Sequence, residues 1–262
     1  MNSLPKHSSV AALFDLDGTL IPLPSLERRM FRALLYRRAI PAENLALWAA
    51  EALRLAPRGL SFVRQGNKRY LQRISLEMAA VVAERVAGQA ALAFFPEAVE
   101  RAAWHASQGH GIVLVTGTLQ LLAAQAARSL ESALARCGVN GKILVVATRL
   151  QESSGRWTGR VVGAPMFGAA KAVAIRSLAA RMRWDLEDCF AYGDSVHDQA
   201  MLECVGHAIA VNAAPAMRRV AIREGWRVVD WHEVGRVAEH QPGMAVPGRS
   251  TRLAGRNLEN LR

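Results

Sequence analysis

The sequence predicts an α/β protein: a Rossmann-like parallel sheet with helices on both faces, plus an all-helical segment inserted after the first strand. Three observations carry this. Beyond Pro96, short apolar runs alternate with helical patterns of about 10 to 15 residues, the rhythm of a mostly parallel sheet. From about Leu23 to Glu100 the periodicity is helical throughout. The chain has only seven Asp, and four of them fall in two tight groups that each directly follow a short apolar run. With 262 residues, 51% apolar and 21% charged, the chain can bury a sizeable core, and wholesale disorder or a collagen-like chain is excluded.

Val10 to Phe14 reads as a buried strand ending at a Gly-containing turn. Leu26, Met30, Phe31, Leu34 and Leu35 then recur at helical spacing, with arginines on the other faces. A second helix starts at Pro41, carries Leu45, Trp48, Ala52 and Leu55, and stops near Pro57 and Gly59. Two more helices are expected across Asn67 to Ala87. Ile112 to Val115 is a strand, Leu119 to Arg136 a helix, and Lys142 to Ala147 another strand. Leu150 to Val162, with Ser153-Ser-Gly155 in its middle, is a hairpin. Helices over Ala169–Arg183 and Pro215–Glu224 and strands over Cys189–Tyr192, Ile209–Val211 and Arg227–Val229 complete the order. Residues 1–22 and 101–242 are expected to form one core, 23–100 the helical insertion, and 243–262 a flexible basic tail.

Cys137, Cys189 and Cys204 form no CxxC pair, and an odd count argues against a disulfide framework, so a reducing, cytoplasmic compartment is expected. The five apolar residues before Asp15 are too few for a signal-peptide core. No run is long and apolar enough for a transmembrane helix. The net charge is +11, with 29 Arg and four Lys among the basic residues. Such a balance favours an anionic partner without choosing among nucleic acid, an anionic membrane and a phosphorylated small molecule.

The acidic groups narrow the choice. They are Asp15-Leu-Asp17-Gly-Thr19 and Gly193-Asp194-Ser-Val-His-Asp198. In a parallel sheet the carboxyl ends of neighbouring strands face one crevice, so two such strand ends gather four carboxylates. Like charges raise each other's pKa unless a cation neutralises them, and compact hard-oxygen sites suit Mg²⁺. As plain turn residues, Asp17-Gly and Asp194-Ser would each be ordinary; the coincidence of both at strand ends favours a site. Val115-Thr-Gly-Thr118, between a strand and a helix, offers Thr116 and Gly117 as an anion cradle. Lys171 stands at the start of a helix, where a cation is electrostatically disfavoured unless an anion lies nearby.

In this order, Asp15-Leu-Asp-Gly-Thr-Leu20, Val115-Thr-Gly-Thr118, Lys171 and Gly193-Asp-Ser-x-x-Asp198-x-x-Met-Leu202 resemble the haloacid dehalogenase superfamily. The helical insertion, the hairpin with Arg156 to Gly163, and Ala210-Val-Asn212 are similar to its phosphoserine-phosphatase-like branch, subfamily IB, which carries a helical cap. The resemblance spans residues 9 to 231. It implies that Asp15 is the nucleophile, forming an aspartyl-phosphate, and that Asp17 is the general acid/base. It implies Mg²⁺ held by the Asp15 carboxylate, the Asp17 carbonyl and Asp194, supported by Asp198. Thr116 and the Gly117 backbone would hold phosphoryl oxygens, and Lys171 would neutralise transition-state charge. A carboxylic acid at position 17 separates the chain from the dehalogenase branch. Phosphoserine phosphatases typically carry an acid soon after the first motif; here Ile21-Pro-Leu-Pro-Ser25 has none, and the first acid is Glu27.

Residues 23–100 carry 12 basic against seven acidic residues, and 243–262 carry four against one. Between Glu51 and Glu77 lie Arg54, Arg58, Arg64, Lys68, Arg69 and Arg73 with no acid; on a helix, Arg64 with Lys68 and Arg69 with Arg73 would share faces. Such a face is either a solvated surface or a recruiter of anionic substrate. A peripheral membrane contact through Leu26 to Ile40 ranks behind both. No GxGxxG follows a strand, and no Cys/His spacing suits zinc. Trp157 and Tyr70 read as packing residues. The expected function is a Mg²⁺-dependent phosphomonoester hydrolase acting on a small phosphorylated metabolite or lipid head group. A catalytically idle binder of a phospho-ligand or anionic surface is the rival reading, and nucleic-acid binding lacks a recognisable module.

Overall fold

The computed structural model describes residues 9–91 and 93–232; the expected basic tail, 243–262, lies outside them. In chain order come β1 (Ala11–Phe14), α1 (Leu26–Tyr36), α2 (Ala42–Leu55), α3 (Leu60–Gly66), α4 (Leu76–Ala91) and α5 (Pro96–Ser107). Then follow β2 (Gly111–Leu119), α6 (Gln120–Arg136), β3 (Ile143–Thr148), β4 (Leu150–Ser153), β5 (Arg156–Val161) and α7 (Ala169–Met182). β6 (Phe190–Gly193), α8 (Gln199–Leu202), β7 (His207–Val211), α9 (Pro215–Arg223) and β8 (Arg227–Val229) complete the order.

Six strands form one parallel sheet in the order β3-β2-β1-β6-β7-β8. The chain reverses its direction of strand addition at β1, so β1 and its neighbours β2 and β6 flank the switch point where ligands bind in such sheets. Both sheet faces are buried, which is why β1 reads as a continuous apolar run. Its residues alternate: Ala12 and Phe14 join a core with Ile112, Leu114 and the apolar side of α6, while Ala11 and Leu13 join one with Val113, Ile175 and Met217. The expected Rossmann-like sheet with helices on both faces is therefore present.

The helical residues between β1 and β2 are stitched to the β4–β5 hairpin through the backbone. Arg73 N–H donates to Trp157 O at 2.8 Å, and Trp157 N–H returns a bond to Ile74 O at 3.0 Å. Gly159, at φ +72°, passes so close to this seam that a Cβ would lie 3.2 Å from Arg69 Cα. Trp157 and Tyr70 are buried packing residues, as expected.

Several expectations on this segment are corrected. Only one helix, α4, lies within Asn67–Ala87, preceded by a single 3₁₀ turn at Arg69–Leu71; α3 arises instead just after Gly59. The basic residues therefore do not share helix faces. Arg64 lies in the last turn of α3, which ends at Gly66, Arg73 has φ +64°, and Lys68 is buried. The apolar stripe Leu26, Met30 and Leu34 of α1 is buried, with α1 packed against α4, while Leu35 and Tyr36 remain exposed. No described helix is long and apolar enough to cross a membrane.

Candidate active site

Asp15 follows β1 directly, and its N–H donates to Tyr192 O on β6 at 2.9 Å, which prolongs the ladder and fixes the backbone. Lys171 reaches it from the first turn of α7. Its buried ammonium donates to Asp15 Oδ1 at 2.6 Å, Asp198 Oδ1 at 2.6 Å and Val115 O at 2.8 Å, using all three protons. Asp198 Oδ2 accepts from Ser195 N at 3.1 Å and Ser195 Oγ at 3.0 Å, so both of its oxygens are engaged. Carboxylate oxygens of Asp15, Asp194 and Asp198 lie within 4.8 Å of one another. A Cβ on Gly193 would fall 2.5 Å from Asp198 Cβ, so the glycine permits this closeness.

Asp17 points elsewhere. Its Oδ1 accepts from Leu26 N at 2.8 Å, at the start of α1, and its Oδ2 from Thr118 Oγ1 at 2.6 Å. Thr116 is buried and its Oγ1 accepts from Thr118 N at 3.1 Å. Residues 116–118 were expected between a strand over Ile112 to Val115 and a helix from Leu119. They instead continue β2, because Leu119 still pairs with Thr148 across an irregular register, and α6 begins at Gln120. Gly117 O accepts from Thr148 Oγ1 at 2.7 Å, and a Cβ on Gly117 would meet Gln65 Oε1 of α3 at 3.0 Å. Phe62 of α3 packs edge-on against Phe167, with ring centroids 5.2 Å apart. α3 of the helical insertion thus approaches the Gly117 segment and Phe167.

Burial dominates the electrostatics. It pushes Asp15 up to about 7 against the pull of Lys171, with Asp198 adding repulsion, and pushes Asp194 up to about 9 with help from Asp15 and Asp198. Burial also raises Asp17, opposed by the bonds from Thr118 and Leu26. Burial would lower Lys171, but Asp15 and Asp198 hold it above the usual lysine range. A compact, all-oxygen set of carboxylates whose charged forms need compensation suits Mg²⁺.

Behind β1, Phe14 stacks on Tyr192 with ring centroids 4.5 Å apart, and Tyr192 Oη lies 2.8 Å from Nε2 of buried His105. On the other side, Arg29 Nε and Nη2 donate to Pro24 O and Pro22 O at 2.8 Å each and close the loop after the first acidic group. Glu27, the first acid after that group, pairs with buried Lys68 and accepts from Tyr70 Oη at 2.8 Å.

All seven residues singled out from the sequence lie at or beside the carboxyl ends of β1, β2 and β6 or in the first turn of α7. Asp15, Lys171, Asp194 and Asp198 form one cluster, and Asp17 is joined to the Thr116–Thr118 segment through Thr118. Sequence reasoning missed Gln65, the Leu26 N–H and Ser195 as supports. Only Ser195, inside a motif, carried a local signal.

The parallel α/β sheet thus gathers three aspartates and a lysine in one crevice at its switch point. The chain belongs to the haloacid dehalogenase-like hydrolases, whose family model matches residues 12–203, and lies in their phosphoserine-phosphatase-like branch. It is 32% identical over 263 residues to an inhibition of morphological differentiation protein of Streptomyces azureus, covering 97% of this chain and 88% of that one. It is 37% identical over 143 residues to a phosphoserine phosphatase of Mycobacterium tuberculosis, 55% of this chain but only 42% of that relative's length. A solved phospho-aspartyl intermediate analogue of phosphoserine phosphatase shares the fold. Its TM-score is 0.56 at 21% identity, covering 86% of this chain and 94% of that one.

Proposed function

We propose that the protein is a Mg²⁺-dependent phosphomonoester hydrolase that works through an aspartyl-phosphate on Asp15. Its substrate is a small phosphorylated metabolite or lipid head group. The observation that carries this is the Lys171 ammonium bridging Asp15 and Asp198 at 2.6 Å each, beside Asp17 held by Thr118. In this reading residues 1–22 and 101–242 form the catalytic core, 23–100 the cap, and the chain works in the cytoplasm.

An Asp15 oxygen attacks phosphorus, and the bond to the leaving oxygen breaks. Asp17, whose raised pKa favours a held proton, delivers that proton to the leaving oxygen. Asp17 then takes a proton from water; the water oxygen attacks the phosphoryl group, freeing phosphate and restoring the Asp15 carboxylate. Thr116 and the Gly117 backbone orient phosphoryl oxygens, and Lys171 offsets their charge. Asp15, Asp194 and the Asp17 carbonyl would hold Mg²⁺, with Asp198 supporting them; the ion supplies Lewis-acid charge neutralisation. Gln65 of the cap reaches the Gly117 backbone from α3.

The test is phosphate release from p-nitrophenyl phosphate by the purified protein with Mg²⁺, with a chelator, and for Asp15→Asn. Release that needs both Mg²⁺ and Asp15 supports the reading. Release indifferent to either, or none from any ester in a metabolite and lipid panel, overturns it.

A further inference from the structure

A cleft of about 510 Å³ runs between the cap and the end of β5 with the segment that follows it, within the usual size range of small-molecule sites. Arg58, Arg69 and Arg160 line it, and none of the three makes an ion pair among the described residues. The acid in the lining, Glu51, is already taken by a two-pronged contact from Arg54, at 2.9 and 2.5 Å. That hydrogen bonding, followed by the fields of Arg69 and Arg160, holds Glu51 below the usual carboxylate range despite partial burial. Arg69 and Arg160 also line a second cleft of about 450 Å³, which continues the first between the 3₁₀ turn at Arg69–Leu71 and the hairpin.

The position of the first cleft matters more than its charge. Gly66 and Pro165 form part of its wall, 3.7 Å apart at the Gly66 Cβ position. The residues next to them in the chain, Gln65 and Met166, bracket Gly117: a Cβ there would meet Gln65 Oε1 at 3.0 Å and Met166 O at 3.5 Å. The wall of the arginine-lined cleft and the neighbours of Gly117 are therefore built from the same two stretches of chain, Gln65–Gly66 and Pro165–Met166. A leaving group extending from the Gly117 cradle along the wall would meet planar guanidinium forks, which match phosphate oxygens in pairs.

We infer that the substrate carries a second anionic group, a phosphate monoester or diester on the leaving group, which Arg58, Arg69 and Arg160 bind while the first phosphate is hydrolysed. This rests on the phosphatase reading above. The chemistry is shared by soluble bisphosphates and by phosphoinositide-type lipid head groups, so the experiment has an arm for each.

The intact protein with Mg²⁺ is assayed on fructose bisphosphate against fructose monophosphate. In the second arm, phosphatidylinositol monophosphate in mixed micelles is compared with inositol monophosphate. The quantity read is the ratio of kcat/KM within each pair. The expected ratio in at least one arm is about 10- to 100-fold, the scale of charge-assisted hydrogen bonds. In Arg58→Gln/Arg160→Gln it shrinks toward one, mainly through KM. A wild-type ratio near one in both arms overturns the inference, as does a ratio the variant leaves unchanged. Loss of both activities together in a folded variant also overturns it; the single variants replace the double if that one fails to fold. Turnover of p-nitrophenyl phosphate separates the two failures. If it occurs without any preference for a second anion, only this inference falls; if no ester is turned over, the phosphatase reading falls too.

Discussion

A Cβ on Gly18 would lie 2.3 Å from Asp194 Oδ2, across the crevice between the β1 and β6 ends. Gly18 also has φ +93°, a conformation costly for any side chain. Gly18→Ala should therefore displace the Asp194 carboxylate while leaving the sheet intact. The expected result is a Mg²⁺ affinity at least about tenfold weaker and kcat at least about 100-fold lower, on the scale of losing a catalytic electrostatic contact. Isothermal titration and a phosphatase assay check both, with circular dichroism as the folding control.

Asp17 and Thr118 test the acid. On an alkyl phosphate, Asp17→Asn should lower kcat by about 10²- to 10⁴-fold, the usual worth of a positioned acid. With p-nitrophenyl phosphate, whose leaving group needs little protonation, the deficit should be smaller. Thr118 holds the Asp17 pKa down, so Thr118→Val should move the alkaline limb of the pH–rate profile to higher pH. An unmoved limb would place the acid elsewhere.

Metal binding should be coupled to protons. In the metal-free protein, burial and mutual repulsion raise Asp15 to about 7 and Asp194 to about 9 from the ordinary aspartate value of 3.8. Both groups hold protons in the fold that the unfolded chain has released, so their contribution to metal-free stability is full below about pH 4 and lost as pH rises through 7 and 9. A cation must displace those protons. Mg²⁺ should therefore raise Tm more at pH 8 than at pH 5 and release protons on binding. A larger Tm shift at pH 5 contradicts this.

His105 gives the opposite slope. Burial, then the nearby His110 and Arg101, lowers its pKa from 6.5 to about 3. The unfolded chain takes up a proton near 6.5 that the fold resists, so the contribution of His105 is full above that pH and lost as pH falls toward 3. Below about pH 6 the loss approaches about 1.4 kcal/mol per pH unit. Urea unfolding at pH 7.5 and pH 5 should show the wild type losing more stability than His105→Gln; equal losses would remove His105 from the account.

The candidate site was legible where its residues are marked locally. Asp15, Asp17, Asp194 and Asp198 stand at strand ends that apolar runs and turn residues announce, and Lys171 was conspicuous as a cation in a first helical turn. The insertion was legible only as helical. α3 was missed because Gly59 and Pro57 signal a stop, while its hold on the core comes from Phe62 meeting Phe167, a contact far away in sequence. Lys68 looked like part of a solvated basic face but is buried against Glu27, 41 residues away. Long-range ion pairs and the backbone seam between Arg73 and Trp157 leave no periodic trace in a single sequence.

The central claim is that Asp15 becomes covalently phosphorylated. Rapid quenching during turnover, followed by borohydride reduction of the acyl phosphate and peptide mass spectrometry, tests it most directly. The account predicts homoserine at position 15 in the wild type and none in Asp15→Asn. Reduction at another carboxylate, or steady phosphate release with no acyl phosphate trapped on Asp15, would contradict it.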